Sequence, residues 1–221
     1  MQNFLEVWSI PLAVVLVMLF VFLLVRWAGK KRREALSRFA QMQGLSYVKE
    51  ETELQNAHCA PFHLFQQGHT RVFDNVIQGS IDGSNLKLFD YSYTTGHGKN
   101  RSTQTQTVAV FQVKNTELPP FELRPEHFFH KIRSLFGHED INFPEDSRFS
   151  EDYFLKGKDT EVVQELFGPD IRNYFANDKT WSIEGGGQWL VIYKASRKTK
   201  IANLAQFMRQ VSDIYRLFEK P

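Results

Sequence analysis

Polar side chains are missing from one stretch of this chain. Between Leu12 and Val25 there is none, which excludes a soluble surface helix, where a polar residue returns every third or fourth position. Lys and Arg are absent before Arg26. The positive n-region of a secretory signal peptide is therefore lacking, no small-residue cleavage site follows the apolar run, and removal of the segment is not expected. Cysteine occurs once, as Cys59, so no intramolecular disulfide can form, in keeping with a reducing compartment. Catalytic signatures are also missing. There is no G-x-S-x-G elbow, and Gly185-Gly186-Gly187 is a run of glycines in a hairpin, not a G-x-G-x-x-G opening a helix. No cofactor is implied.

What is present first is the apolar run itself, Ile10 to Trp27, followed by Gly29-Lys30-Lys31-Arg32-Arg33. As a helix it spans ~27 Å, close to the hydrocarbon core of a bilayer. The expected organisation is a short extracytoplasmic tail (1–9), a transmembrane helix (10–27), a basic juxtamembrane helix (28–43) and a cytoplasmic domain (44–221), with Gly44 as the helix stop. The basic belt Arg26, Lys30, Lys31, Arg32 and Arg33 orients the chain with its N-terminus out and meets anionic lipid headgroups. Without the belt and Glu6, the remainder carries 22 basic and 24 acidic residues. That near-neutral balance argues against a nucleic-acid partner.

Beyond the belt, Leu45–Lys49 reads as a short strand. Arg71–Gly79, Leu86–Tyr93 and Thr105–Lys114 read as an antiparallel meander ended by Leu118-Pro119-Pro120-Phe121. Pro125–Phe136 has helical spacing with Pro125 at its first position. Tyr153-Phe154-Leu155 forms a further strand, Asp159 caps a helix through Phe167, and Gly168-Pro169 separates it from a second one. Trp181–Glu184 and Gln188–Lys194 make a second hairpin. Lys200–Glu219 repeats apolar residues every three or four positions and reads as an amphipathic helix. Ser80-Ile81-Asp82-Gly83 and Ser182-Ile183-Glu184-Gly185 match at three of four positions, which suggests two similar turns or a duplicated hairpin.

The fold class expected is α+β, with an antiparallel sheet, conceivably a partly open pleckstrin-like barrel, covered by the C-terminal helix. The best binding candidate is the loop Thr94–Thr107, which brings His97, Lys99, Asn100 and Arg101 together beside Tyr91; a polar hairpin tip without a role is the plainer reading. His127, His130, His138 and Asp140 are the candidates for a metal-dependent membrane-surface enzyme, although the helical His-x-x-His lacks the glutamate of zinc hydrolases. His58, Cys59, His63 and His69 match no zinc spacing. No metal is expected.

The stretch LFDYSYTTGHGKNR…QTVAVFQ…LPPFELRPE resembles a group of uncharacterised bacterial single-pass membrane proteins. The likeness is best over Val76–Glu126 and looser around Phe149-Ser150…Tyr153 and Ile183-Glu184-Gly185. It implies a bacterial inner-membrane setting and brings no catalytic residue with it. The functional expectation is a membrane-tethered binding or scaffolding module, with the bilayer and a protein as its partners.

Overall fold

In the computed structural model, which describes residues 2–51, 59–81, 83–114, 116–126 and 140–219, the apolar run and the basic residues after it form one helix, α1 (Gln2–Met42). Its 41 residues extend over ~62 Å. The helix passes residue 28 without a break, so the membrane-length run and the juxtamembrane helix are parts of one rod. From Leu12 to Val25 every large apolar side chain of α1 is exposed, Val25 at 66%, and α1 is long and apolar enough to cross a membrane. Its last two turns change character. Leu36, Phe39 and Ala40 are buried in the domain core. Gly44, at φ +69°, ends the helix: Leu45 N–H donates to the Ala40 carbonyl at 2.8 Å and Gly44 N–H to that of Gln41 at 3.2 Å. This is a Schellman cap, with Leu45 closing its apolar contact.

Among the described residues the domain is built on eight antiparallel strands: β1 (Ser46–Glu50), β2 (His69–Ile81), β3 (Ser84–Thr95), β4 (Ser102–Gln112), β5 (Leu118–Pro125), β6 (Tyr153–Gly157), β7 (Ser182–Gly187) and β8 (Trp189–Tyr193). Their spatial order is β1-β2-β3-β4-β8-β7-β5-β6. The edges β1 and β6 do not meet, so the sheet is open and not a pleckstrin-like barrel. At the β6 edge, Leu155 has both backbone groups engaged, its N–H by Asp140 Oδ1 (3.2 Å) and its carbonyl by Ile141 N–H (2.7 Å). That blunts the edge against further pairing.

Both faces of the sheet are covered, which is why β8 reads as an unbroken apolar run. Leu190 and Ile192 join a large core on one face; Val191 and Tyr193 join a smaller one on the other. The large core takes in the end of α1, α3 (Ser147–Asp152), α4 (Thr160–Leu166), α5 (Pro169–Asn177) and the amphipathic C-terminal helix α6 (Leu204–Phe218). Ile201, expected in that helix, sits in a 3-10 turn before it. The small core lies under the segment 59–66, which contains the one-turn helix α2 (His63–Gln66).

Two expectations are corrected. Pro119-Pro120 does not end a meander but lies inside β5, between β7 and β6. A register shift between Leu118 and Phe121 accommodates the two missing N–H donors. Pro125 is the last residue of the same strand and not the start of a helix; the helix expected to Phe136 lies outside the described residues from 127 onward. The two matching tetrapeptides are also different in kind, since Gly83 sits in a turn at φ +79° while Gly185 is within β7.

Gly185 is there for space. A Cβ at this position would overlap the Phe121 ring, and that ring is held by Phe218 (centroids 5.5 Å, stacked) and Phe167 (5.0 Å, edge-on). Gly185→Ala is therefore expected to cost about 1–3 kcal/mol through overpacking. Chemical denaturation of the two chains in parallel checks this; equal midpoints would show that the ring can yield.

Candidate functional site

The strand alternation that fills the small core also brings buried charge into it. Leu123 and Ile183 face the large core, so their neighbours Glu122, Arg124 and Glu184 face the other way. Register pairs Glu122 with Glu184 on β7 and with Lys156 on β6. Two carboxylates directly opposite one another repel, and Arg124 and His63 are the response. Arg124 ion-pairs with Glu122 and bonds to the His63 ring. Its Nη2 lies 3.9 Å from Glu184 Oε1, and His63 Nδ1 lies 3.5 Å from Glu122. Glu184, 2% exposed, accepts from Tyr193 O–H at 2.9 Å and from Leu64 N–H at 3.0 Å. The second of these bonds ties the 59–66 segment to the sheet.

The two carboxyls titrate in opposite directions. Burial holds Glu184 above the usual carboxylate range, and the facing charge of Glu122 adds to it. Burial acts on Glu122 in the same sense, but the bond to His63 and the charge of Arg124 overcome it and keep Glu122 low. Burial pushes Tyr193 well above its ordinary value, with Glu184 reinforcing the shift. The two facing carboxyls are thus held on opposite sides of the usual carboxylate range, beside a buried guanidinium.

Its His63, Glu122 and Glu184 line a cleft of about 1030 Å³. Pro61, Phe62, Pro120, Phe121, Ile141 and Trp189 supply apolar wall; His63, Glu122, Asp140, Lys156, Lys158, Thr160 and Glu184 supply polar groups; Gly185, Gly186 and Gly187 leave part of β7 without side chains. Among the described residues no group of three or more His, Cys, Asp or Glu is placed to hold a metal ion.

The residues expected from sequence lie elsewhere. Tyr91 is buried in the small core, its ring edge-on to Phe65 at 5.0 Å and its hydroxyl 3.5 Å from the Leu64 carbonyl. The loop is also much shorter than 94–107. Thr94 and Thr95 extend β3, Ser102 already starts β4, and a threonine-rich ribbon takes up the rest. β-branched residues favour that pleated pairing. His97, Lys99, Asn100 and Arg101 are exposed on its tip, with His97 stacked on His69 at 5.0 Å. They cluster with one another but not with Tyr91, and none lines the cleft. Cys59 is buried, and burial pushes its thiol up to about 12. His58, His127, His130 and His138 lie outside the described residues. Of the earlier candidates among the described residues, only His63 and Asp140 reach the cleft.

The basic belt is divided by the fold. Arg26 lies over Phe22 (5.5 Å), Lys31 over Trp27 (3.8 Å), and Lys30 is 3.9 Å from Glu34. Arg32 turns inward instead. Its Nε and Nη2 each donate to Asp90 at 2.7 Å, and its Nη1 donates to the Thr199 carbonyl at 2.8 Å. Asp90 also accepts from Asn75 (3.0 Å) and Thr107 (3.1 Å) and pairs with Lys198 (3.1 Å). Arg32 is therefore a lock between α1 and the sheet and not a headgroup contact.

Sequence reasoning missed Glu122, Arg124, Glu184, Trp189 and Tyr193. The signal was present as charges at alternate positions of β5 (Phe121-Glu122-Leu123-Arg124) and one charge in the otherwise uncharged β7.

No family model matches the chain, and no curated protein matches it. Among solved structures, the fold is similar to the crystal structure of the mycobacterial trehalose monomycolate transport factor A, TtfA. The two align with a TM-score of 0.58 at 13% sequence identity, over 86% of this chain and 96% of that one. This likeness supports the α+β architecture.

Proposed function

We propose that this chain is a single-pass membrane protein whose domain acts as a non-enzymatic binding and scaffolding module, accessory to a transport process. The observation that carries this reading is the continuity of α1. Its exposed apolar section passes without a break into a last section that buries Leu36, Phe39 and Ala40 in the domain and is fastened by Arg32 to Asp90. A long exposed apolar surface is costly in water and is accounted for by lipid. A domain fixed to such a helix is held at one position and angle above the bilayer. That suits a part that presents a binding surface to other membrane components. TtfA, named as a transport factor, adds support at the level of fold. The buried charges of the cleft are matched to one another, which favours holding a ligand over attacking one.

In this reading the setting is the bacterial inner membrane, with residues 1–9 outside and the domain in the cytoplasm. The excess of Lys and Arg on the C-terminal side of the span supports that orientation. Membranes washed at alkaline pH are expected to retain the full chain until detergent is added, and a reporter fused after Pro221 is expected to be active only in the cytoplasm. Recovery in the aqueous wash would overturn the anchor, and activity only in the periplasm would overturn the orientation.

A further inference from the structure

We infer that the cleft floored by Glu122 and Glu184 binds a neutral carbohydrate, an inference that rests on the proposed function only in treating this domain as a binding module. The charges in the lining set the first constraint. Lys156 is the register neighbour of Glu122, which is also paired with Arg124. Lys158 and Asp140 add one charge of each sign. An anionic ligand therefore meets Glu122 and Asp140, and a cation meets Lys156 and Lys158. A neutral molecule avoids both penalties.

The second constraint is the mixture of hydrogen-bonding types. Glu122 offers acceptor oxygens, the lysines offer donors, and the Thr160 hydroxyl offers both. A sugar hydroxyl donates and accepts at once, so a ring of hydroxyls matches such a wall, whereas an apolar ligand leaves these groups unpaired. The third constraint is shape. Trp189 and Phe62 put aromatic surface into the cleft beside Gly186, which pairs with Trp189 and leaves bare backbone there. A pyranose presents an apolar C–H face that packs on aromatic rings while its edge keeps its hydroxyls bonded. At about 1030 Å³ the cleft stands at the upper end of small-molecule sites, enough for a disaccharide or larger.

The same chemistry belongs to a free oligosaccharide and to the sugar headgroup of a glycolipid, and the experiment separates them. The full chain, purified in a polyoxyethylene detergent that contains no sugar, is titrated with trehalose and with maltose while tryptophan fluorescence and heat are recorded. In a second arm the chain is placed in lipid discs with and without a diglucosyl diacylglycerol. Inorganic phosphate and choline serve as anionic and cationic controls. Saturable binding of a disaccharide, weakened about tenfold or more by Trp189→Ala, identifies a free-sugar site. Binding confined to the glycolipid discs, with the same loss, identifies a headgroup site. Lys158→Ala, on an exposed rim residue, gives a second and milder reduction, and thermal midpoints report that both variants are folded. No sugar-dependent signal in either arm overturns the inference, as does binding indifferent to both variants or a tighter response to phosphate or choline. A chain that is membrane-anchored yet blind to sugars defeats this inference alone; one that binds sugars but washes off membranes defeats the anchored reading alone.

Discussion

Asp90→Ala is expected to destabilise the domain by about 3–5 kcal/mol, the range for removing one partner of a buried ion pair. Asp90 is 6% exposed and is the common acceptor for Arg32, Asn75 and Thr107, with Lys198 at 3.1 Å. Its loss leaves a part-buried guanidinium and two short polar side chains without their acceptor, each of which costs free energy once removed from water. The damage should also be directional. Because Arg32 comes from α1 and Asp90 from β3, the seam that opens joins the helix to the sheet, and the apolar contacts of Leu36, Phe39 and Ala40 loosen with it. Urea denaturation of the full chain in detergent measures the first effect, and proteolysis near Gly44 the second. A loss below about 1 kcal/mol would place the pair among ordinary surface salt bridges.

The second large effect concerns the carboxylates of the cleft, where two substitutions of one type should give opposite results. Glu122→Gln removes the ionised partner of buried Arg124, and a loss of about 2–3 kcal/mol at pH 7 is expected. Glu184→Gln keeps an acceptor for Leu64 N–H and Tyr193 O–H and removes a carboxyl whose ionisation burial opposes. It should be neutral at pH 7 or stabilising by about 1 kcal/mol. The pH dependence follows from the two shifts. Glu122, lowered in the folded state, stabilises fully above the unfolded carboxyl value of ~4.3 and loses that contribution as the pH falls through its folded value. Glu184 is raised, so its contribution is full below ~4.3 and declines as the pH rises towards its folded value. Stability curves of the parent and Glu184→Gln chains should therefore diverge as the pH rises above about 4.3, with the variant flatter. Parallel curves would mean that Glu184 is already ionised at low cost.

How far the chain could be read before folding depended on the range of the interactions. The Gly44 stop, the Asp159 cap and the C-terminal helix rest on groups within about four residues of one another; the first two appear where they were expected, and the helix is there but starts four residues later, at Leu204. β5 did not, because what allows Pro119-Pro120 in a strand is a register shift against β7, more than sixty residues away. The candidate site was less legible still. Glu122, Arg124 and Glu184 stand on strands brought together only by the sheet order, and His63 arrives on a separate segment. Arg32 reads as one member of a basic run, and only its meeting with Asp90, 58 residues on, shows that it is a lock. Tyr91 was misjudged for a related reason. Alternation gives it a face, but which face is covered depends on the 59–66 segment packing there.

The account depends on α1 and the sheet moving as one body. Spin labels at Lys30→Cys on α1 and Thr105→Cys on β4, both exposed positions, test this by pulsed dipolar spectroscopy of the full chain in lipid discs. Cys59 can stay, since it is buried and its thiol is raised to about 12. A single narrow distance distribution that broadens in Asp90→Ala is the predicted result. A broad or multiply peaked distribution in the parent chain would contradict it.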